Sequence, residues 1–296
     1  FPSVEDRAKL FATSSILQNA PKWQFLQGFD VEKFQPDPHQ WLVADCFARS
    51  WMSGITETAR GIERRHILIA DEGGTGKTLS ATIGARWVHT HHKGTILVLC
   101  PPLLVQAWYE HFIGVFSDVT ENIVVINSAR HIDPKIHAGK ILILSKYSLV
   151  FHWENKKMAQ IINELDVKLT IIDEVHQGRT GGDLFEGSNH RKQEYSKVDS
   201  IESQELIQEL EEILTNEQLK NQYQIFREVS KNSAYVIGLS ATPINLDRTE
   251  LWTVLHAINT PITQFVDQEQ FTEGLDASNQ WFKTLHMLKA EALKAE

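Results

Sequence analysis

Five residues in one short stretch could hold a phosphate chain: Gly74, Thr75, Gly76, Lys77 and Thr78. Glycines allow a tight turn that points successive backbone N–H groups at an anion. A helix beginning just after them would add its positive N-terminus. Lys77 is then a point charge within reach of the β- and γ-phosphates, and the Thr78 hydroxyl is a hard oxygen ligand for a divalent cation. The cofactors implied are a nucleoside triphosphate and Mg²⁺. The full stretch is ADEGGTGKT, residues 70–78. The general loop, G-x-x-x-x-G-K-S/T, has glycine five residues before its second glycine. Here that position holds Asp71.

A carboxylate for the cation should sit at the end of a later buried strand. LTIIDEVHQ (169–177) supplies Asp173 and Glu174 behind an apolar run. Asp173 is expected to hold Mg²⁺ through its water shell. Glu174 is expected to orient the attacking water and take its proton, which makes Glu174 and Lys77 the catalytic pair. His176 lies two residues beyond Glu174, where it can bridge to a neighbouring strand end. The stretch GLSATP (238–243) places Ser240 and Thr242 behind another apolar run. Both hydroxyls could bond His176 and report the state of the γ-phosphate. Alone, Asp-Glu would fit a strand cap and Ser-Ala-Thr-Pro an ordinary turn. The order, phosphate loop then acid pair then hydroxyl pair, carries the nucleotide reading.

These residues need a scaffold that brings strand ends together. Six short runs are continuously apolar: 66–70, 95–100, 122–126, 140–145, 168–172 and 235–239. Such runs suit strands buried on both faces of a parallel sheet. Helical patterns lie between them. Leu79, Ile83 and Trp87 recur at four-residue spacing, and Leu104, Trp108, Phe112 and Val115 form a similar stripe. Alternating strand and helix predicts an α/β lobe with a mostly parallel sheet and helices on both faces. Trp41, Ala44, Phe47 and Trp51 predict a further helix over 38–52. Residues 178–234 are polar at first and then helical, with Leu206, Leu210, Ile213 and Leu214 ahead of Leu219, Tyr223 and Phe226. Thr215 with Gln218 resembles a capping box between those two groups.

Composition narrows the class. The 296 residues have 42% hydrophobic content, and 29 basic against 38 acidic side chains leave a net charge of −9. That excludes a generally basic surface but leaves room for a local nucleic-acid groove. Two cysteines in apolar surroundings, Cys46 and Cys100, argue for a reducing compartment. The longest apolar run, residues 96–105, is too short to span a bilayer, so no membrane role is expected. The expected location is cytoplasmic, or nuclear in a eukaryote. His89, His91 and His92 could form a metal site, but a solvated helix end is the simpler reading.

Taken together, the motifs resemble the first motor lobe of a superfamily-2 helicase, and within it the Swi/Snf-type ATPases. That family's loop reads A-D-E-x-G-x-G-K-T, which accounts for Asp71. LVLCPPLLVQAWYEHF (97–112) resembles its second element, DEVH (173–176) its D-E-A-H box, and ATPINLDRTELWTVLHAINTP (241–261) its T-P-I-x-N-x-x-x-E-L-W stretch. Gly73, Thr75 and the L-S-A-T-P run depart from the usual pattern.

The resemblance implies a RecA-like P-loop lobe over 36–262, with an N-terminal lead segment (1–35), an insert at 178–234 and a helical extension at 263–296. It implies that Gln40 recognises adenine, which makes the triphosphate ATP; Trp23 could stack on the base or equally pack in the core. It implies an ATPase that moves on double-stranded DNA, with Gln106 and Lys146 as candidate contacts to the phosphate backbone. A protein partner could dock on the insert. No Q-x-x-G-R-x-x-R run, the source of arginine fingers in the second lobe, occurs in the 296 residues. Two rival functions share these motifs: a strand-separating helicase, and a nucleotide-dependent interaction module without turnover.

Overall fold

The computed structural model describes residues 37–44, 46–47, 66–71, 73–116, 118, 120–153, 155–178, 216–241, 248–260 and 262–278. All six apolar runs form strands: β1 (His66–Ile69), β2 (Thr95–Cys100), β3 (Ile123–Ile126), β4 (Ile141–Ser145), β5 (Val167–Ile172) and β6 (Tyr235–Leu239). They make one sheet in the order β1-β6-β5-β2-β4-β3. Every pairing is parallel. Burial follows position. β2 and β6 are buried at every residue, whereas the edge strands β1 and β3 are only partly covered.

The pleat sorts side chains into two layers. From β2, Ile96, Val98 and Cys100 enter one core, and Leu97 and Leu99 enter the other. The first core is roofed by α1 (Lys77–His91) and α2 (Val105–Val115). Val43 and Phe47 close it from outside, and Phe47 packs on Tyr235 at 4.8 Å between ring centroids. Trp51, the last member of that stripe, and Trp23 lie outside the described residues. The second core is covered by α3 (Lys146–Phe151), α4 (Asn155–Glu164), α5 (Asn216–Lys231) and α6 (Arg248–Ala257).

Three expectations need correction. Leu104 is 39% exposed, because Pro101 and Pro102 hold it in a short 3₁₀ turn before α2 begins. The buried stripe of α2 is Trp108, Phe112 and Val115. The histidines at the end of α1 are packed rather than solvated. His91 stacks on Trp87 at 4.7 Å, His92 lies 5.1 Å from the Tyr235 ring, and His89 meets Phe116 edge-on at 5.7 Å. Among the described residues no group of three or more His, Cys, Asp or Glu side chains could hold a metal ion.

Finally, the last part of the 178–234 segment belongs to the lobe itself. Helix α5 buries Ile225, Phe226 and Val229 in the second core. Its neighbour α6 contributes His256, whose ring stacks on Trp252 at 4.5 Å and on Tyr223 at 5.7 Å. The Tyr223 hydroxyl and the Arg227 guanidinium both reach His256 Nδ1.

Two outcomes follow from this packing. Phe226→Ala should cost about 3–5 kcal/mol, because a fully buried ring leaves a cavity in a two-sided core. Urea unfolding will check it. Burial, then the charges of Arg227 and Lys231, push His256 down to about 4. The fold thus refuses a proton that the unfolded chain accepts. Stability from this site is complete above about pH 6.5 and is lost as the pH falls from there towards about 4. His89 and His111 are also pushed down by burial and add to the effect. His256→Asn should therefore narrow, without abolishing, the gap between urea midpoints at pH 7 and pH 5.

Candidate active site

Parallel pairing puts the C-terminal ends of neighbouring strands on one edge of the sheet, where ligands of open α/β sheets bind. The three predicted motifs leave from adjacent strands there: the glycine loop from β1, the Ser240 segment from β6 and the Asp-Glu pair from β5. Backbone bonds tie the ends together. The Ser240 N–H donates to the Ile69 carbonyl at 3.1 Å, and the Asp173 N–H donates to the Leu99 carbonyl at 2.8 Å.

The loop turns as its glycines require. Gly74 and Gly76 have φ of 81° and 79°, a region costly for residues with a Cβ. Gly76 then caps α1, its carbonyl accepting the Ser80 N–H at 3.0 Å. Lys77 Nζ donates to the main-chain carbonyl of Asp71 at 2.8 Å. That bond asks nothing of the residue-71 side chain, so glycine is not needed there for it.

Gln40 braces the loop from behind. Its side chain is buried, with Nε2 donating to the Thr75 carbonyl at 3.2 Å and Oε1 accepting the Asp37 N–H at 2.8 Å. His39 Nε2 lies 3.1 Å from the same Thr75 carbonyl. His39 was not singled out from the sequence; its only signal was its place beside Gln40. A Cβ on Gly76 would lie 2.1 Å from Gln40 Nε2. Gly76 is thus required by its φ, and a Cβ there would also displace the Gln40 amide.

The acid pair is held tightly. Asp173 is buried; its Oδ2 accepts the Trp108 indole N–H at 2.9 Å and its Oδ1 accepts the Glu174 N–H at 3.0 Å. Trp108 was legible only as part of a helix stripe. Each carboxylate oxygen keeps further lone-pair capacity. A carboxylate and a threonine hydroxyl are hard oxygen donors, and the set Thr78 plus Asp173 fits Mg²⁺ with water completing the shell. Glu174 follows with φ of 47°, an uncommon conformation for a residue with a side chain. His176 Nδ1 lies 3.2 Å from Glu174 Oε2 and 3.0 Å from Ser240 Oγ. One imidazole edge therefore touches both the expected base and the β6 strand end. Thr242 and Glu72 lie outside the described residues.

Of the two expected backbone contacts, Gln106 is exposed on α2 and bonds Glu110 at 2.9 Å. Lys146 is not available for such a role. It is fully buried, and its Nζ donates to the carbonyls of Asp173 and Glu174, each at 3.0 Å. Cys46 and Cys100 are free thiols. Burial, and then the Asp173 charge, push the Cys100 thiol far up, so it stays protonated and inert.

Residues 33–245 match the family described as type III restriction enzyme, res subunit (ResIII). The chain belongs to this family. The ResIII lobe is a superfamily-2 helicase-like ATPase motor domain with a RecA-like fold. No curated protein matches the chain. Among solved structures, the Sulfolobus solfataricus SWI2/SNF2 ATPase core domain is similar at 16% identity, with a TM-score of 0.51, over 86% of this chain and 40% of that one. The same core in complex with dsDNA has 16% identity and a TM-score of 0.49, over 85% and 41%. The Pyrococcus furiosus Hef helicase domain has 17% identity and a TM-score of 0.49, over 79% and 38%. At these identities the likeness is one of fold. The ResIII chain spans about two fifths of the length of those proteins. No helix among its described residues is long and apolar enough to cross a membrane.

The conformation of Gly76 gives a direct check. Gly76→Ala should weaken binding of a fluorescent ATP analogue by about 5- to 150-fold, since strain of this kind costs about 1–3 kcal/mol. Gly73→Ala is the control. Its Cβ meets nothing within 4 Å, and the affinity should stay within about threefold.

Proposed function

We propose that this chain is the ATP-binding first lobe of a Swi/Snf-type motor that translocates on double-stranded DNA and remodels protein–DNA complexes without necessarily separating strands. The observation that supports it most is the placing of His176 Nδ1 against both Glu174 and Ser240. A motor must link the state of its phosphate site to movement elsewhere. Here the residue assigned as base and a strand-end hydroxyl share one imidazole.

Each side chain has a role in this reading. The N–H groups of Gly74, Thr75 and Gly76 cradle the phosphates, and Lys77 leaves the Asp71 carbonyl to pair with the β- and γ-phosphates. Thr78 and Asp173 hold Mg²⁺, which supplies charge neutralisation on the phosphates. Glu174 orients a water and accepts its proton at a carboxylate oxygen. His176 keeps that carboxylate in register with Ser240 until nucleotide arrives, and Thr242 would extend the same link. Gln40 selects adenine with the N–H and the lone pair that Thr75 and Asp37 leave over, because an amide has four hydrogen-bonding positions.

A single lobe forms only one wall of the cleft. The second wall and its arginine fingers, typically worth about 10³–10⁵ in rate, would come from a further lobe. Gln106, exposed on α2, is a candidate backbone contact, and the net negative charge makes binding by this lobe weak and salt-dependent. A protein partner would dock on 179–215, since α5 is built into the core.

The test is a steady-state ATPase assay of residues 1–296, alone and joined to a second lobe, with and without duplex. Expected is little turnover by the lobe alone and duplex-stimulated turnover when both lobes are present. Strand separation in an unwinding assay would favour the helicase alternative. Glu174→Gln in the two-lobed protein should bind ATP within about threefold of wild type and lose at least about 10²-fold in turnover. Wild-type rates in that variant would remove Glu174 from the role of base.

A further inference from the structure

We infer that Lys146 is a positioning residue for the acid pair. It rests on the assignment of Asp173 and Glu174 as the metal and base carboxylates, and adds a cause for their geometry.

A lysine side chain that is fully buried in a protein core is rare, because its ammonium must leave water. Lys146 opens α3, directly after β4, and is 0% exposed. β4 is separated from β5 by β2. The side chain nevertheless reaches the turn that ends β5. There Nζ donates to two successive carbonyls, Asp173 and Glu174, each at 3.0 Å. Charge-assisted bonds of this kind are about twice as strong as neutral ones.

The geometry explains what those bonds do. Glu174 has φ of 47°, which turns the chain sharply after Asp173. This conformation costs free energy for a residue with a side chain and needs support from its surroundings. A cation drawn to both carbonyls holds successive peptide units with their oxygens converging on one point. That selects the turn. It also fixes the direction in which the Glu174 side chain leaves the backbone, towards His176 at 3.2 Å. On the other side, Trp108 holds the Asp173 carboxylate at 2.9 Å. The pair is pinned by its backbone from the start of α3 and by the Asp173 carboxylate from α2. Lys146 touches neither substrate nor reacting atoms. It acts through Glu174.

Lys146→Met, a straight-chain apolar replacement of similar length, removes the two bonds and suits a buried site. In the two-lobed protein it should lower kcat at least about tenfold while leaving KM for ATP within about threefold, because the phosphate loop is untouched. Hydrogen exchange followed by mass spectrometry should quicken in peptides covering 172–178 and stay unchanged in β2 and β4. A kcat within twofold of wild type, or unaltered exchange at 172–178, would overturn the proposal. Faster exchange throughout the sheet would also overturn it, since that marks a general loss of stability. If Lys146→Met does not fold, Lys146→Arg carries the test. Its retained donors predict wild-type exchange at 172–178, and rapid exchange there sinks the idea. Failure of the ATPase reading is seen separately, as wild-type turnover in Glu174→Gln.

Discussion

Parallel pairing of β1, β6 and β5 is the constraint on which the site depends. In a parallel sheet every C-terminal strand end lies on the same edge, so residues more than a hundred positions apart in the chain become neighbours. Gly76 follows β1, Asp173 follows β5 and Ser240 follows β6. The order β1-β6-β5 seats Ser240 between the phosphate loop and the acid pair. With β6 in any other place, His176 could not reach the Ser240 hydroxyl. The sheet can be parallel because both of its faces are covered, and it is covered because its strands are apolar on both faces.

Around that edge the interior is polar, and several of its buried groups hold the motifs in place. Buried polar groups are costly unless bonded, and a fully satisfied network makes one arrangement far better than its neighbours. Gln40 ties the Asp37 backbone to Thr75. Trp108 and Lys146 hold the acid pair from two different elements. The loop and the turn they hold both contain positive φ, at Gly74, Gly76 and Glu174. Strained backbone persists only where surroundings over-determine it, and the bonded residues here supply that surrounding.

Helix α5 shows how an apparent insertion can be part of the frame. It follows a long polar stretch, yet its Phe226 and Val229 fill the second core between the sheet and α6. Through Tyr223, Arg227 and His256 it also grips the helix of the E-L-W stretch. That stretch begins a few residues after Ser240.

Much of this molecule was legible from local sequence alone. Continuous apolar runs announced all six strands, since a strand buried on both faces has no polar alternation to hide it. The loop glycines, Lys77, Thr78, Asp173 and Glu174 stand out in the sequence as candidates because each motif is short and follows a strand directly. The partnership of His176 with Ser240 was expected from motif order, and the folded chain places the two within hydrogen-bonding distance. What only tertiary structure decided was strand order and the use made of residues with two readings. Lys146 reads by resemblance as a contact to a phosphate backbone; only its full burial and its bonds to the Asp173 and Glu174 carbonyls turn it inward. Trp108 reads as one more apolar residue on a helix, and only the crossing of α2 over the sheet brings its N–H to Asp173. The histidines ending α1 read as polar, yet the aromatic layer around Trp87 and Tyr235 takes them in. Periodicity reports which face of an element is apolar. It carries no information on what lies across that face, and the physical role of a polar side chain in a core is set by what it meets there.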